Sequence, residues 1–172
     1  EYLIVSDGKG ALLDPGGQDI FPAVFSALSK VLTVDNVQFI FSSHQDPDIS
    51  SSIPLWHTFN PKIRCYVSWL WANFLPHFGG EKETFVSVPD EGMDVTLNKL
   101  KLRFIPAHYL HSSGNLHLYD PEARMYFSGD VGAAILPEGA KADIFVQDFD
   151  RHLPYMKAFH QRWMPSNEAK ND

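Results

Sequence analysis

Cysteine is nearly absent: the 172 residues contain one, Cys65. A lone cysteine excludes an internal disulfide, a paired-cysteine zinc ribbon and a CxxC redox centre, and it fits a reducing, cytoplasmic setting. Basic residues are also few, 14 Lys and Arg against 21 Asp and Glu, for a formal net charge of −7 with neutral His. Without a clustered basic footprint, a nucleic-acid partner is not expected. Long hydrophobic runs are missing too. The longest apolar stretch, from Ile63 to Phe78, is broken by Arg64, Asn73, Pro76 and His77, whereas a membrane-spanning helix needs about 20 predominantly apolar residues. The first residues, Glu1-Tyr2-Leu3-Ile4-Val5, lack the basic head of a signal peptide and already resemble a strand. Repeats and low-complexity tracts are absent. What is present is 44% hydrophobic and 13% aromatic residues with only 20% charged, enough to fill a core. The length corresponds to one domain spanning residues 1–172.

Turn-rich Ser6-Asp7-Gly8-Lys9-Gly10 separates two short apolar runs, Tyr2 to Val5 and Ala11 to Leu13, as in a hairpin. From Asp19 to Leu32, apolar residues recur at three- and four-residue steps and predict a helix. Val37 to Phe41 reads as a buried strand. The aromatic stretch from Trp56 to Phe78 predicts one or two short helices, and whether Trp56, Trp69 and Trp71 form core or a dimer surface stays open. Strands are expected at Thr84 to Val88 and Lys101 to Ile105, while Asp94 to Leu100 is too mixed to assign. A hairpin around Asp120-Pro121-Glu122 joins strands at Leu116 to Asp120 and Arg124 to Ser128, and a helix is expected from Asp150 to Met164.

Three of these strands end in loops that carry metal-ligating residue types: His44, Asp46 and Asp48, then His108 and His111, then Asp130. Alternate positions in an extended loop can splay ligands toward two adjacent ions, so the natural reading is a dinuclear site. Taken singly, each has a plainer explanation. HxDxD can be a turn with a solvated histidine, His108 a hydrogen-bonded structural residue and Asp130 a turn former. Their joint placement after three strands favours a metal site. His152 and His160, eight apart on the expected last helix, are read as structural.

The order Leu12-Leu13-Asp14-Pro15-Gly16, Ser43-His44-Gln45-Asp46-Pro47-Asp48, Pro106-Ala107-His108 and Phe127-Ser128-Gly129-Asp130 resembles the successive motifs of the metallo-β-lactamase superfamily. Asp46, an acid where zinc hydrolases have histidine, resembles the flavodiiron branch. His44-Gln45-Asp46-Pro47-Asp48 and the run Asp150 to Tyr155 are most similar to the stand-alone oxygen-binding di-iron proteins of that branch, bacterial proteins linked to chemotaxis signalling. The resemblance implies an α/β fold, an αββα sandwich with the metals at one edge of the sheets. It further implies that His44, Asp46 and His108 bind a first iron, Asp48 a second, and that Asp130 bridges them, with Asp14 as a support. Two departures stand out. Ile49 occupies the position of a histidine ligand, leaving an open place on the second metal, and the family's last histidine has no match. The domain is therefore expected to be incomplete at both ends, with the C-terminal ligand loop missing. His111 is expected to support the site or face solvent rather than to compensate.

The function implied is a di-iron protein that binds dioxygen, or reduces it slowly, as an oxygen sensor for chemotaxis. Its cofactors would be two iron ions cycling between Fe2+ and Fe3+, with Zn2+ or Mn2+ as alternatives. Tyr109 is either a hydrogen-bond donor to bound oxygen or a packed aromatic in the site wall. Expected partners are dioxygen, a chemotaxis receptor or electron-donor protein, and a second copy in a homodimer. The competing readings are a zinc hydrolase of the same fold, disfavoured by Asp46 and Ile49, and a metal-free binding module, disfavoured by the number of ligand types retained.

Overall fold

The structure, a computed structural model, describes residues 1–140 and 145–165. Two sheets lie face to face. The first has the strand order β1 (Tyr2–Ser6), β2 (Lys9–Leu13), β3 (Val37–Phe41), β4 (Arg64–Ser68) and β5 (Phe85–Val88); β1 pairs antiparallel with β2 and the remainder run parallel. The second is an antiparallel meander of β6 (Met93–Leu97), β7 (Leu100–Pro106), β8 (Leu116–Asp120) and β9 (Met125–Phe127).

Side-chain alternation explains the layering, because successive residues of a strand face opposite sides. Ala11, Leu13, Phe39 and Phe41 point between the sheets and meet Leu102, Phe104, Leu116 and Leu118. Their neighbours Leu12 and Ile40, with Cys65 and Val67 of β4, face the other way onto α1 (Phe21–Ser29) and α3 (Ile53–Phe59). Trp56 is fully buried there, with Phe21 edge-on at 5.0 Å; truncating such a residue to Ala costs about 3–5 kcal/mol. Burial also pushes the Cys65 thiol well above its usual range, which makes it an inert core residue.

The sandwich expected from the sequence is thus present, with three local differences. Residues 64–68 are a central strand rather than part of a helix. Tyr66 packs between the sheets while Cys65 and Val67 pack under the helices, so the middle of the segment is covered on both faces and only Arg64 at its start is exposed. Residues 93–97 also form a strand: Asp94 and Thr96 face solvent while Leu97 is buried, and the tight turn at Asn98, with φ of 53°, pairs Leu97 with Leu100. The expected helix from 19 to 32 is shorter, Phe21–Ser29, and starts with Pro22 in its first turn. The last helix, α4 (Phe149–Trp163), closely follows expectation but has no buried residue. Among the described residues, no helix is long and apolar enough to cross a membrane.

Candidate metal centre

Strands β3, β7 and β9 deliver three loops to one end of the sandwich. The first is tightly constrained. Ser42 N–H donates to the Tyr66 carbonyl (3.0 Å), its hydroxyl donates to the His44 carbonyl (2.7 Å), and the His44 side chain is 1% exposed. Asp46 then precedes a single helical turn, α2 (Pro47–Ser50). The second loop closes on itself through Ala107 N–H to the Asn115 carbonyl (2.8 Å) and Tyr109 N–H to the Ser112 carbonyl (2.8 Å). Leu116 N–H donates to the Ser43 carbonyl (2.7 Å), so the returning half of this loop lies against the first. Gly114 is required for that return. Its φ is +74°, and a Cβ there would stand 2.6 Å from Ser68 Oγ and 3.0 Å from Trp71 Nε1. Trp71 Nε1 donates to the Ser113 carbonyl at 2.7 Å. The third loop turns at Ser128, and Gly132 N–H donates to His160 Nε2 (3.0 Å), which joins α4 to the Asp130 segment.

Four donor atoms converge where the loops meet. His111 Nε2 lies 3.1 Å from Asp130 Oδ2, 3.4 Å from Asp46 Oδ2 and 3.2 Å from His44 Nε2. His44 Nε2 is 3.6 Å from Asp46 Oδ2 and 3.8 Å from Asp130 Oδ2. Ligands about 2.1 Å from one ion at right to tetrahedral angles are about 3.0–3.4 Å apart, so His111 and His44, with either carboxylate, stand close to the spacing of ligands on one cation. His44, Asp46 and His111 alone form a group able to hold one. The set is two imidazoles with carboxylates, the type that suits non-haem iron and is not selective for softer metals. His44 is buried and the His111 side chain is only 10% exposed, whereas the two carboxylates are about one-third exposed (32% and 34%), so the centre opens to solvent on its acidic side.

The two carboxylates also favour positive charge on His111. Asp130 first and Asp46 second push the His111 pKa up to about 9 against the opposing effect of burial. Reciprocally, His111 and then His44 hold the Asp46 carboxyl well below its usual range, although burial works in the other direction.

The structure brings together His44, Asp46 and Asp130 of the expected residues, with His111 in the place expected of His108. The His108 ring is committed elsewhere: Gly114 N–H donates to its Nδ1 (3.0 Å), and its Nε2 meets Asp90 Oδ1 (3.0 Å) at the exposed rim. Tyr109, with φ of +66°, reverses the chain between the two histidines and leaves its own side chain 52% exposed, neither packed in a wall nor hydrogen-bonded among the described residues. Asp48 is an exposed residue of α2 and makes no polar contact among the described residues. Ile49 belongs to the same turn, its carbonyl accepting from Gly16 N–H at 3.1 Å.

Several contributors carried no sequence signal of their own. Ser112 Oγ donates to Gln45 Oε1 (2.7 Å) and Gln45 Nε2 donates to Asp46 Oδ1 (2.9 Å), a bridge that leaves the other Asp46 oxygen facing the histidines. His117 lies buried behind the site, 2.8 Å from the Tyr126 hydroxyl, and burial lowers its pKa to about 4, so it is neutral. For His111 there was one clue: Gly114 ends a loop that must return to β8, which favours its second half for contact with Ser43. Asp14, expected as a support, accepts from Ser43 N–H (2.7 Å) and from the Ser43 hydroxyl (3.0 Å). Of the tryptophans, Trp56 is core, Trp71 clamps the histidine loop and Trp69 is exposed.

Comparison with curated proteins gives no match. Among solved structures, the chain is similar to the apo state of the chemotaxis sensor ODP from T. denticola, with 44% identity over 98% of this chain and 68% of that one and a TM-score of 0.88. A structure of chemotaxis sensor ODP described as a peroxy diiron species gives 43% identity, the same coverage and a TM-score of 0.87. A flavoprotein from Thermotoga maritima is 24% identical over 94% of this chain and 40% of that one, with a TM-score of 0.79, and shares the fold. The model of the family described as ODP family beta lactamase matches residues 1–172. With a family match along its whole length and relatives at 43% and 44% identity, the chain belongs to the ODP family of beta-lactamase-like proteins.

Proposed function

We propose that this chain is a di-iron protein that binds dioxygen and serves as an oxygen sensor in chemotaxis signalling. The observation that carries the reading is the convergence of His44, Asp46 and Asp130 donor atoms on His111 Nε2, at 3.1–3.4 Å, at the mouth of three loops, in a chain 43% identical to the peroxy diiron ODP. His44, Asp46 and His111 would hold the first iron. Asp130 would bridge to a second, which Asp48 approaches from α2 once its side chain turns inward. Iron held by these residues would supply the reducing equivalents for dioxygen chemistry.

The chain's own contribution is to present ligands and leave an opening. Ile49 has no donor atom, so a second ion held here would keep a position open to a small ligand. Asp46 and Asp130 face solvent and give access, while buried His44 is held in place by its loop. Tyr109, exposed at the rim, reaches bound oxygen only if its side chain swings inward. A chemotaxis receptor, an electron-donor protein and a second copy of the chain are the proposed partners, and the proposed setting is a reducing cytoplasm, consistent with a single buried thiol.

The test uses anaerobic protein loaded with Fe(II) and then exposed to dioxygen. A new visible absorption band is expected, reversed on removing oxygen if binding predominates over reduction, and absent in His44→Ala. Binding of Zn(II) with exclusion of Fe(II), or no oxygen-dependent band from iron-loaded protein, would contradict the reading.

A further inference from the structure

Asp14 is placed with unusual care for a residue that donates nothing to the metal cluster. It follows β2 in the left-handed region, φ +49°, its N–H donates to the Phe41 carbonyl (2.8 Å), and its carboxylate turns toward Ser43. There Oδ1 accepts from Ser43 N–H at 2.7 Å and Oδ2 accepts from the Ser43 hydroxyl at 3.0 Å. The same hydroxyl oxygen lies 2.9 Å from His44 Nδ1, and Ser43 is 1% exposed, so water does not take either partner's place.

Proton counting then fixes the chain of contacts. A backbone N–H can only donate, so Asp14 Oδ1 can only accept. With Asp14 as the carboxylate, a form that burial opposes and the Ser43 hydrogen bonds favour, the serine hydroxyl gives its one proton to Asp14 Oδ2, which leaves its oxygen able only to accept from His44. His44 must therefore carry its proton on Nδ1 and present a lone pair at Nε2. The far side of the ring agrees: His111 Nε2 faces the Asp130 and Asp46 carboxylates at 3.1 and 3.4 Å, so it carries a proton, and His44 Nε2, 3.2 Å away, can only accept from it.

We propose that Asp14 is a positioning residue that acts through Ser43 to lock His44 in the Nδ1–H tautomer, keeping its Nε2 lone pair aimed at the metal. The role goes beyond supporting the loop, since it selects which ring nitrogen can bind. It rests on the reading of the cluster as a metal centre, but the tautomer exists without metal and can be observed there. Replacing Asp14 by Asn separates selection from support. The amide oxygen must still meet Ser43 N–H, so the amide nitrogen faces Ser43 Oγ and donates to it. The hydroxyl then donates to His44 Nδ1, which forces the proton onto Nε2 and blocks the lone pair. Removal of such outer partners costs about 10–100-fold in metal affinity, and inversion is expected at the upper end.

The experiment is a long-range 1H–15N correlation spectrum of imidazole nitrogens in the full metal-free chain, paired with anaerobic Fe(II) titration, for wild type, Asp14→Asn and Ser43→Ala. The expected result is the Nδ1–H form in wild type, the Nε2–H form with about 100-fold weaker binding in Asp14→Asn, and mixed tautomers with about 10-fold weaker binding in Ser43→Ala. An Nε2–H tautomer in wild type, or a folded Asp14→Asn with unchanged tautomer and affinity, would overturn the proposal. Should Asp14→Asn fail to fold, Ser43→Ala decides: an unchanged, pure Nδ1–H form at wild-type affinity overturns it. If wild type shows the expected tautomer switch between variants but binds no Fe(II), the iron reading fails and the relay stands.

Discussion

Two loops meet across the candidate centre and differ in what holds their histidines. In the loop after β3, His44 is fixed from three sides, by Ser42, by Ser43 with Asp14 behind it, and by the core beneath. In the loop after β7, two histidines three residues apart compete for one role, and the backbone between them decides. Tyr109 in the left-handed region and Gly114 packed on Trp71 turn His111 inward and leave His108 at the rim with Asp90. A ligand in the first loop is specified by its local surroundings. One in the second is specified by how the loop closes.

The largest expected effect separates the loops by charge. His111 carries a proton in the metal-free chain up to about pH 9, and a metal must displace it. Fe(II) affinity should therefore rise about tenfold per pH unit between pH 7 and 9 and flatten above, read by calorimetry in buffers of different protonation enthalpy. The same shift acts on folding. Its pKa in the folded chain lies above the ordinary 6.5, so its ion pairs stabilise the metal-free form fully below that value and are lost as pH rises through about 9. Thermal melts should show this loss without metal and lose the trend with metal bound.

Next comes loop closure. Gly114→Ala forces a Cβ against Ser68 and Trp71 at a positive φ and should destabilise by about 1–3 kcal/mol in urea unfolding. Metal affinity should fall as well, because His111 moves with the loop. A smaller effect is expected for Gln45→Ala, which breaks the bridge from Ser112 to Asp46 and should weaken Fe(II) binding by about tenfold with little change in stability. The smallest belongs to Asp90→Ala. Its contact with His108 is half exposed, and such pairs contribute less than about 1 kcal/mol.

The same contrast explains what the sequence made legible. His44, Asp46 and Asp130 stand directly after apolar strands, where a change from hydrophobic run to polar loop marks the sheet edge, so they could be placed from the sequence. His111 could not, since spacing gives no view of a left-handed residue that reverses the chain between two equivalent histidines. Asp48 follows the same logic: its alternation with Asp46 suggests an extended loop, but Pro47 starts a helical turn at that point and directs it outward. In the fold, β4 was hidden because Cys65, Tyr66 and Val67 are packed on both faces within an aromatic stretch, and β6 because it is five residues long and its turn at Asn98 lacks glycine. The sandwich itself followed from the order of the motifs.

The most direct test compares His111→Ala with His108→Ala in anaerobic Fe(II) titrations of the full chain. The account predicts that His111→Ala loses at least about 100-fold in affinity, as expected for a missing ligand beside buried His44, while His108→Ala stays within a few-fold of wild type. Retained affinity in His111→Ala together with its loss in His108→Ala would contradict it.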